Sequence, residues 1–243
     1  MDWHARYSQQ AGWTAQTRRY LYEKAGLNKA YRILEPGCGT GAVLADCPAG
    51  SLHGLDWDRA NLQIARQTVP RANLVQGDAL QLPYLDAAFD ACLTHYFLLW
   101  VDAQHVMAEM LRVTRPGGVI LALAEPDYGG RVDFPVELEE IGRLQAESLA
   151  RQGANIEMGR KLADLFLQAG LQNITSGVMG GEWTLRPLDS GWQLEWDALE
   201  ADLAGSLNHA RLSALRQLDS AAWQRGDRIL FVPTFYAIGW VPE

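Results

Sequence analysis

The stretch ILEPGCGTGAVLADC, residues 33–47, places three glycines at alternate positions directly after a short apolar run that ends in a glutamate. The apolar run predicts a strand, and GAVLADC predicts the start of a helix. A glycine-rich turn between a strand and a helix lets the backbone approach a ligand closely, because no Cβ atom intervenes, and it presents the N–H groups of the helix start. The stretch therefore predicts a loop shaped to hold a ligand.

A carboxylate at the end of the next predicted strand narrows the class of ligand. Asp56 ends the run SLHGLD, about 20 residues after the first glycine, the usual place for a carboxylate that holds two ribose hydroxyls. A nucleoside-containing ligand is therefore expected. The spacing Gly37-x-Gly39-x-x-Ala42 also satisfies the dinucleotide pattern, and a tight turn without a ligand remains a third interpretation.

Strand and helix patterns alternate along the first half of the chain, which predicts a βαβαβ order with a parallel sheet. The second half is less regular, with two amphipathic helices, two strands and a tryptophan-bearing helical stretch between those strands. No composition break marks a linker, so one domain over residues 1–243 is expected. The predicted strands are residues 32–37, 51–58, 72–79, 87–100, 119–125, 172–185 and 228–240, and the predicted helices are residues 13–27, 59–69, 102–114, 136–153, 158–171 and 188–225.

Composition excludes several functional classes. The net charge of −8 argues against nucleic acid as a partner, because binding a phosphate backbone needs clustered Lys and Arg. No stretch approaches the roughly 20 apolar residues of a membrane span, and the first residues lack the layout of a secretory signal, so a cytoplasmic location is expected. The three cysteines are irregularly spaced without a CxxC pair, which predicts neither a disulfide framework nor a metal site.

Further motifs follow the glycine loop in a fixed order. They are Gly77-Asp78-Ala79, Leu82-Pro83, Phe89-Asp90 and Arg115-Pro116-Gly117-Gly118. Together with Glu35 to Gly41 and Asp56, this order of motifs resembles that of the class I S-adenosylmethionine-dependent methyltransferases, especially the small-molecule branch that includes quinone-biosynthesis enzymes. The resemblance is strong over residues 31–124. It implies a Rossmann-like, doubly wound, mostly parallel seven-stranded sheet with a reversed final strand and helical additions.

The resemblance also implies a site for S-adenosylmethionine. Asp56 would accept hydrogen bonds from the ribose hydroxyls, Asp78 would accept one from the adenine amine, and Trp57 would cover the adenine. Glu35 would orient the loop and the amino-acid end of the cofactor, and His95 would lie near the methionine moiety. Two alternatives without a ligand stay open. Both aspartates could be helix N-caps, and Trp57 could be a surface or core aromatic residue. The full set expected to bind the cofactor is Glu35, Gly37, Cys38, Gly39, Gly41, Asp56, Trp57, Asp78, Ala79, His95, Tyr7 and Arg18, with no metal ligand.

Methyl transfer asks little of side chains, because alignment of the acceptor and exclusion of water supply most of the catalysis. A general base is needed only for a protonated acceptor. His95 and Tyr128 are the candidate catalytic residues, and Tyr96, Glu125 and Asp127 are further candidates. For His95, a hydrogen-bonded structural role is an equal alternative.

The resemblance divides the chain into functional segments. Residues 1–30 would form a helical lid from which Tyr7 or Arg18 reaches the cofactor carboxylate, and residues 31–128 would bind the cofactor. Residues 129–158 and 188–226 would be helical insertions on the substrate side. Trp183, Trp192 and Trp196 fall in the second half, where they favour an apolar or aromatic acceptor.

Three functions remain in play at this point. The first is a methyltransferase acting on a small molecule, the second an NAD(P)-binding oxidoreductase with the same glycine turn, and the third a non-catalytic module that binds S-adenosylmethionine. The order of Asp78, Leu82-Pro83 and Phe89-Asp90 favours the first over the second.

Overall fold

The computed structural model describes residues 2–29, 31–178, 180–181, 183 and 190–243. Seven strands of this part of the chain form one sheet, and two short strands form a second sheet. The strands are β1 Arg32–Pro36, β2 Ser51–Asp56, β3 Asn73–Gln76, β4 Phe89–Thr94, β5 Thr114–Pro126, β6 Val132–Phe134, β7 Gln172–Val178, β8 Ile229–Phe231 and β9 Thr234–Trp240.

The large sheet has the strand order β3-β2-β1-β4-β5-β9-β7. The first five strands in this order are parallel to one another, and β9 is antiparallel to both β5 and β7. The last strand in sequence therefore inserts as the reversed strand between two strands of the opposite direction. This topology confirms the predicted Rossmann-like fold.

Helices cover both faces of this sheet. Adjacent residues of β1 show the alternation, because Ile33 packs with α2 and α3 in one apolar cluster and Leu34 packs with α4 and α6 in the other. The central strands are accordingly buried on both faces, as parallel sheets require. The helices are α1 Trp3–Trp13, α2 Ala15–Lys24, α3 Arg59–Thr68, α4 Ala103–Val113, α5 Glu139–Arg151, α6 Met158–Gln168, α7 Ser190–Asp202 and α8 His209–Arg225.

The prediction that a helix begins directly after the glycine loop is wrong. The chain makes turns there and then only one short 3-10 helix, Leu44–Asp46. Cys47 is extended, with φ −70° and ψ 130°, and it precedes Pro48, whose ring disfavours the α conformation in the residue before it. The loop therefore has no α-helix dipole behind it.

The single strand predicted over residues 228–240 is also wrong, because it divides into β8 and β9. Pro233 lies between them, and a proline has no N–H for a sheet ladder. β8 pairs with β6 in the small sheet instead. A third difference concerns Arg115 to Gly118, which were expected to form a turn. In the structure they belong to β5, which already begins at Thr114, and the register of β5 against β4 shifts in this part of the strand.

The segments after β5 form a small helical layer with its own apolar cluster. Trp196 of α7 is fully buried there against α5 and α8. Beside this cluster, Arg228 donates to Asp219 at 2.6 Å and to Asp133 at 2.7 Å, with all three side chains buried. These ion pairs join α8 to the small sheet. None of the described helices combines the length and apolar character that crossing a membrane requires.

Candidate functional site

A cavity of about 860 Å³ lies at the carboxyl ends of β1, β2 and β4 and is bounded on one side by α1. Ligands bind at this edge of open α/β sheets, where the strand order reverses. All but two of the predicted cofactor-binding residues line the cavity, the exceptions being Gly41 and Arg18.

The glycine loop forms the floor of the cavity. Gly37 has φ +71° and Gly39 has φ +51°, a left-handed backbone that residues with a Cβ rarely adopt. A Cβ on Gly37 would overlap the ring of Phe97, and one on Gly39 would lie 3.3 Å from Cε2 of Tyr7. Gly41 is different, because its missing Cβ makes room for α3, with Val69 Cγ2 at 3.1 Å. Gly41 therefore packs beside α3 and does not line the cavity.

Asp56 ties the loop to the end of β2. Its Oδ2 accepts the Gly39 N–H at 2.8 Å, and its Oδ1 accepts the Asp58 N–H at 2.9 Å. Asp56 is buried overall, and it is one of the residues that line the cavity. The helix-cap alternative for this residue is wrong, because Asp58 is the residue that caps α3, through Ala60 N–H at 2.7 Å. Each oxygen of Asp56 accepts one backbone N–H and keeps a second lone pair that a ligand can use.

Glu35 lies at the end of β1, beneath the loop. Its side chain is 2% exposed, and its Oε2 has no hydrogen-bond partner in the described part of the chain. Burial raises the pKa of this carboxyl well above its ordinary value, although Arg18 opposes the rise. A buried, unpartnered carboxylate oxygen is costly by itself. A cationic ligand in the cavity would offset that cost.

The next two strand ends supply the opposite wall. Asp78 and Ala79 follow β3 and line the cavity, and Asp78 Oδ1 also accepts the Leu80 N–H at 2.9 Å. Trp57 lines the mouth and is 83% exposed. An indole this exposed contributes little to the core, so the core alternative for Trp57 is wrong.

His95 follows β4 and lines the cavity. Its Nε2 lies 2.8 Å from Thr14 Oγ1, which in turn receives a hydrogen bond from Arg18 Nη1 at 2.6 Å. Burial, and after it the cationic Arg18, lower the pKa of His95 to about 3. A histidine with so low a pKa is a weak proton acceptor at neutral pH.

Arg18 does not have the position predicted for it. Its side chain is buried and donates to the Ala11 carbonyl, to Thr14 and to the Asp46 carboxylate. The guanidinium therefore lies behind His95 and outside the cavity wall. Arg18 is not among the residues that line the cavity, whereas His95 is.

Two of the other base candidates are occupied by structural bonds. Glu125 accepts backbone N–H groups from Phe97, Leu98 and Leu99 at 3.0, 2.9 and 3.3 Å. Asp127 forms a two-bond ion pair with Arg160, at 2.6 and 2.9 Å. Neither carboxylate lines the cavity.

Tyr96 and Tyr128 do line the cavity. Burial raises the pKa of Tyr96 to about 12 and that of Tyr128 above its ordinary range. Both phenols therefore keep their protons at neutral pH. Tyr96 also has φ +52°, a strained backbone for a non-glycine residue of the kind found at functional sites.

The first helix closes the cavity from above. Trp3, Tyr7 and Gln10 share one face of α1 and line the cavity. His4 Nδ1 lies 3.0 Å from Thr40 Oγ1 of the glycine loop, which joins the helix to the floor. On its other side α1 contacts α7, through Arg6 and Glu195.

Several lining residues were not predicted, and three predicted tryptophans do not line the cavity. Trp192 and Trp196 donate to Asp219 at 2.6 and 2.8 Å, inside the helical layer. The indole of Trp183 donates to the Leu230 carbonyl at 3.3 Å. Helical spacing from Tyr7 could have identified Trp3. The others carry no motif, and they reach the cavity from several different elements, including α3 for Asn61 and a 3-10 helix, Leu98–Trp100, for Trp100. The unpredicted lining residues include Trp3, Asn61, Phe97, Trp100, Asp102 and Gln152.

Comparison with known proteins identifies a matching family and several relatives of this chain. A family model described as a methyltransferase domain matches residues 34–122. A demethylmenaquinone methyltransferase of Lysinibacillus sphaericus is 31% identical over 192 residues, which cover 70% of this chain and 80% of that protein. A malonyl-[acyl-carrier protein] O-methyltransferase of Erwinia pyrifoliae is 35% identical over 140 residues, or 56% of this chain and 53% of that protein.

A solved structure shares the fold over most of the chain. It is a geranyl diphosphate C-methyltransferase from Streptomyces coelicolor, in complex with Mg²⁺, geranyl diphosphate and S-adenosylhomocysteine. The superposition has a TM-score of 0.58 with 15% identity and covers 93% of this chain and 78% of the other. This likeness is one of fold.

Proposed function

Because this chain belongs to the class I S-adenosylmethionine-dependent methyltransferases that act on small molecules, we propose that its cavity binds S-adenosylmethionine along Glu35, Asp56 and Asp78 and presents the methyl group to an apolar or aromatic acceptor. The cofactor supplies a methyl group already activated by its bond to a sulfonium. The chain's own residues have to bind, orient and exclude water.

The acidic lining carries this proposal. Asp56 and Asp78 lie at successive strand ends, where their spare lone pairs can accept from hydroxyl and amine groups, and Glu35 offers an unpartnered Oε2 below them. The cofactor is cationic at both its sulfonium and its ammonium group. Asp56 and Asp78 therefore offer acceptors for its hydroxyl and amine groups, and a cation bound next to Glu35 would favour the ionised form of that carboxyl, whose pKa burial otherwise raises.

The glycine loop and the exposed indole complete the binding surface in this proposal. Gly37, Cys38 and Gly39 let the methionine and ribose portions approach the backbone, since the cradle has no room for added side chains at Gly37. Trp57 covers one face of the adenine, and the backbone N–H of Ala79 meets a ring nitrogen.

The N-terminal residues 1–30 act as the lid of this site. Support comes from Tyr7, which packs against Gly39, and from Trp3 and Gln10, which line the cavity on the same helix face. The expected division of the rest of the chain stands as part of the proposal, with residues 31–128 as the core and residues 129–158 and 188–226 as insertions. Residues 188 and 189 lie outside the described part of the chain.

The acceptor side of the cavity is aromatic. The aromatic residues that line the cavity and are assigned to this side are Trp3, Tyr96, Phe97, Trp100 and Tyr128. Their rings favour an apolar or aromatic acceptor over a polar one. The name of the Lysinibacillus relative makes a demethylmenaquinone the first compound to test.

Catalysis in this proposal rests on alignment. His95 has too low a pKa to accept a proton at neutral pH, and the phenols of Tyr96 and Tyr128 hold theirs. Tyr128 is therefore proposed to orient the acceptor as a hydrogen-bond donor. The acceptor then has to present a nucleophile that is already unprotonated at neutral pH, such as a free amine, a thiolate, an ionised hydroxyl or an electron-rich carbon.

Calorimetry tests the cofactor assignment. S-adenosylmethionine, S-adenosylhomocysteine and NADH are titrated into wild type, Asp56→Ala and Asp58→Ala. We expect both adenosyl compounds to bind wild type and Asp58→Ala alike, because Asp58 only caps α3. Loss of the charged acceptor in Asp56→Ala should weaken binding by at least about 10-fold.

Binding of NADH alone would reverse the assignment in favour of an oxidoreductase. Cofactor binding without any methylated product, assayed with a demethylmenaquinol and a panel of naphthols by mass spectrometry, would favour the non-catalytic module.

A further inference from the structure

A buried hydrogen-bond chain runs from the surface into the cavity and ends on His95. Arg18 and Thr14 are 2% and 1% exposed. Arg18 links the Asp46 carboxylate to Thr14, and the Thr14 hydroxyl contacts His95 Nε2 at 2.8 Å. This chain connects α2 to the end of β4, and the function proposed above gives it no role.

The direction of each hydrogen bond in the chain follows from its donors. A guanidinium can only donate, so Thr14 Oγ1 accepts from Arg18 Nη1 at 2.6 Å. The Thr14 hydroxyl proton is then left for another acceptor. The Ala11 carbonyl, 3.2 Å away, already receives Arg18, and the Gln10 carbonyl is 3.3 Å away, whereas His95 Nε2 is nearer than either.

Electrostatics supports the same direction. The guanidinium of Arg18 lies directly behind Thr14, and its positive charge favours a ring lone pair over a ring N–H on the side that faces it. The other ring nitrogen of His95, Nδ1, has no hydrogen-bond partner among the described residues. His95 itself lines the cavity.

We propose that Arg18 and Thr14 hold His95 as the neutral tautomer with its proton on Nδ1, so that His95 offers an N–H donor to an oxygen of the bound ligand. Thr14 and Arg18 are positioning residues in this arrangement, because they act through the imidazole. The oxygen belongs either to the carboxylate of the cofactor or to the acceptor. The choice between these two rests on the proposed function, whereas the tautomer does not.

The tautomer is read from the ligand-free protein. The chain has five histidines, so long-range ¹H–¹⁵N correlation spectra of the ¹⁵N-histidine-labelled protein contain signals from five imidazole rings. The signal that is lost in His95→Gln is that of His95. We expect a neutral ring at pH 7, with Nε2 unprotonated and Nδ1 protonated, in wild type and in Thr14→Ser, which keeps the hydroxyl. Thr14→Val, which keeps the shape without the hydroxyl, should lose this pattern. An Nε2-protonated ring or an imidazolium in wild type overturns the proposal.

The ligand oxygen is identified by two titrations on the same variants. S-adenosylhomocysteine carries the amino-acid carboxylate and 5′-methylthioadenosine lacks it. A fall of about 10-fold in affinity for the first compound alone in Thr14→Val, restored in Thr14→Ser, assigns the hydrogen bond to the cofactor carboxylate. Unchanged affinity with a raised KM for the acceptor assigns it to the acceptor.

If neither quantity changes, no ligand uses the donor and the proposal is overturned. If wild type binds neither adenosyl compound, the proposed function fails while the tautomer measurement still stands.

Discussion

The guanidinium of Arg6 donates to the carboxylate of Glu195 across 2.5 Å, which joins the first helix of the chain to a helix almost two hundred residues later. The side chains are 8% and 20% exposed. Gln9 adds a second link to the same helix, donating to the Gly191 carbonyl at 2.8 Å. The position of α1 over the cavity thus depends on a largely buried ion pair.

Removing one partner of this pair should be costly. We expect Arg6→Met to lower the free energy of unfolding by about 3 kcal/mol, because it leaves a carboxylate with little water around it. Urea denaturation measures the change. Arg143→Met breaks an exposed pair, with side chains 61% and 47% exposed, and should cost less than about 0.5 kcal/mol. Equal losses in both variants would show that burial adds nothing to the Arg6 pair.

Gly37 and Gly26 form a matched pair for the glycine loop. Both have a left-handed backbone, but a Cβ on Gly26 meets nothing within 4 Å, whereas one on Gly37 overlaps Phe97. Gly26→Ala should cost about 1 kcal/mol of unfolding free energy, from backbone strain alone. Gly37→Ala should cost clearly more and should abolish S-adenosylhomocysteine binding.

A double variant separates the overlap from the strain. Phe97→Ala opens the space that the added methyl group needs, so Gly37→Ala should be less damaging in that background than in wild type. Additive losses in the double variant would mean that Phe97 is not the obstacle.

Glu125 predicts a pH dependence of stability. Burial raises its pKa from an ordinary 4.5 to about 7, even though three backbone N–H groups oppose the rise. The folded state therefore binds more protons than the unfolded state between pH 4.5 and 7. The stabilising contribution of this carboxyl is fully present below pH 4.5 and is lost as pH rises to 7, at up to about 1.4 kcal/mol per pH unit.

Glu125→Gln isolates this contribution, because other titrating groups are common to both proteins. The unfolding free energy of wild type minus that of Glu125→Gln should fall across that window and stay level above it. Parallel pH curves for the two proteins would contradict the raised pKa.

Asp219 is the centre of the helical layer. It accepts from the indoles of Trp192 and Trp196 and from Arg228. Asp219→Ala removes the acceptor of the buried Trp196 indole N–H and of Arg228 Nε, and it leaves the buried guanidinium with Asp133 as its remaining carboxylate partner. We therefore expect a loss of about 3 kcal/mol of unfolding free energy, measured by tryptophan fluorescence in urea. Arg225→Ala, from a pair 52% and 43% exposed, serves as the control and should leave the midpoint nearly unchanged.

Much of the cavity wall could be predicted because its residues lie at the ends of strands. Asp56 and Asp78 each fall near the end of a predicted strand, and parallel neighbours bring their carboxyl ends to one edge of the sheet. The order of motifs therefore translates into proximity. The missing helix after the glycine loop was also within reach of the sequence, because Pro48 restricts Cys47.

By itself the amino-acid sequence determined the parallel core and the carboxylates at the strand ends, because hydrophobic periodicity and motif order are local properties of the chain. The reversed strand was implied by the family resemblance that the motifs carry. Tertiary structure alone decided what the isolated side chains do. Arg18 is a helix residue whose partners Asp46 and Thr14 belong to different segments, and His95 meets Thr14 across 81 residues of chain. Which nitrogen of an imidazole is engaged, and which arginine lies behind it, depends on how distant segments pack, and no local pattern encodes that geometry.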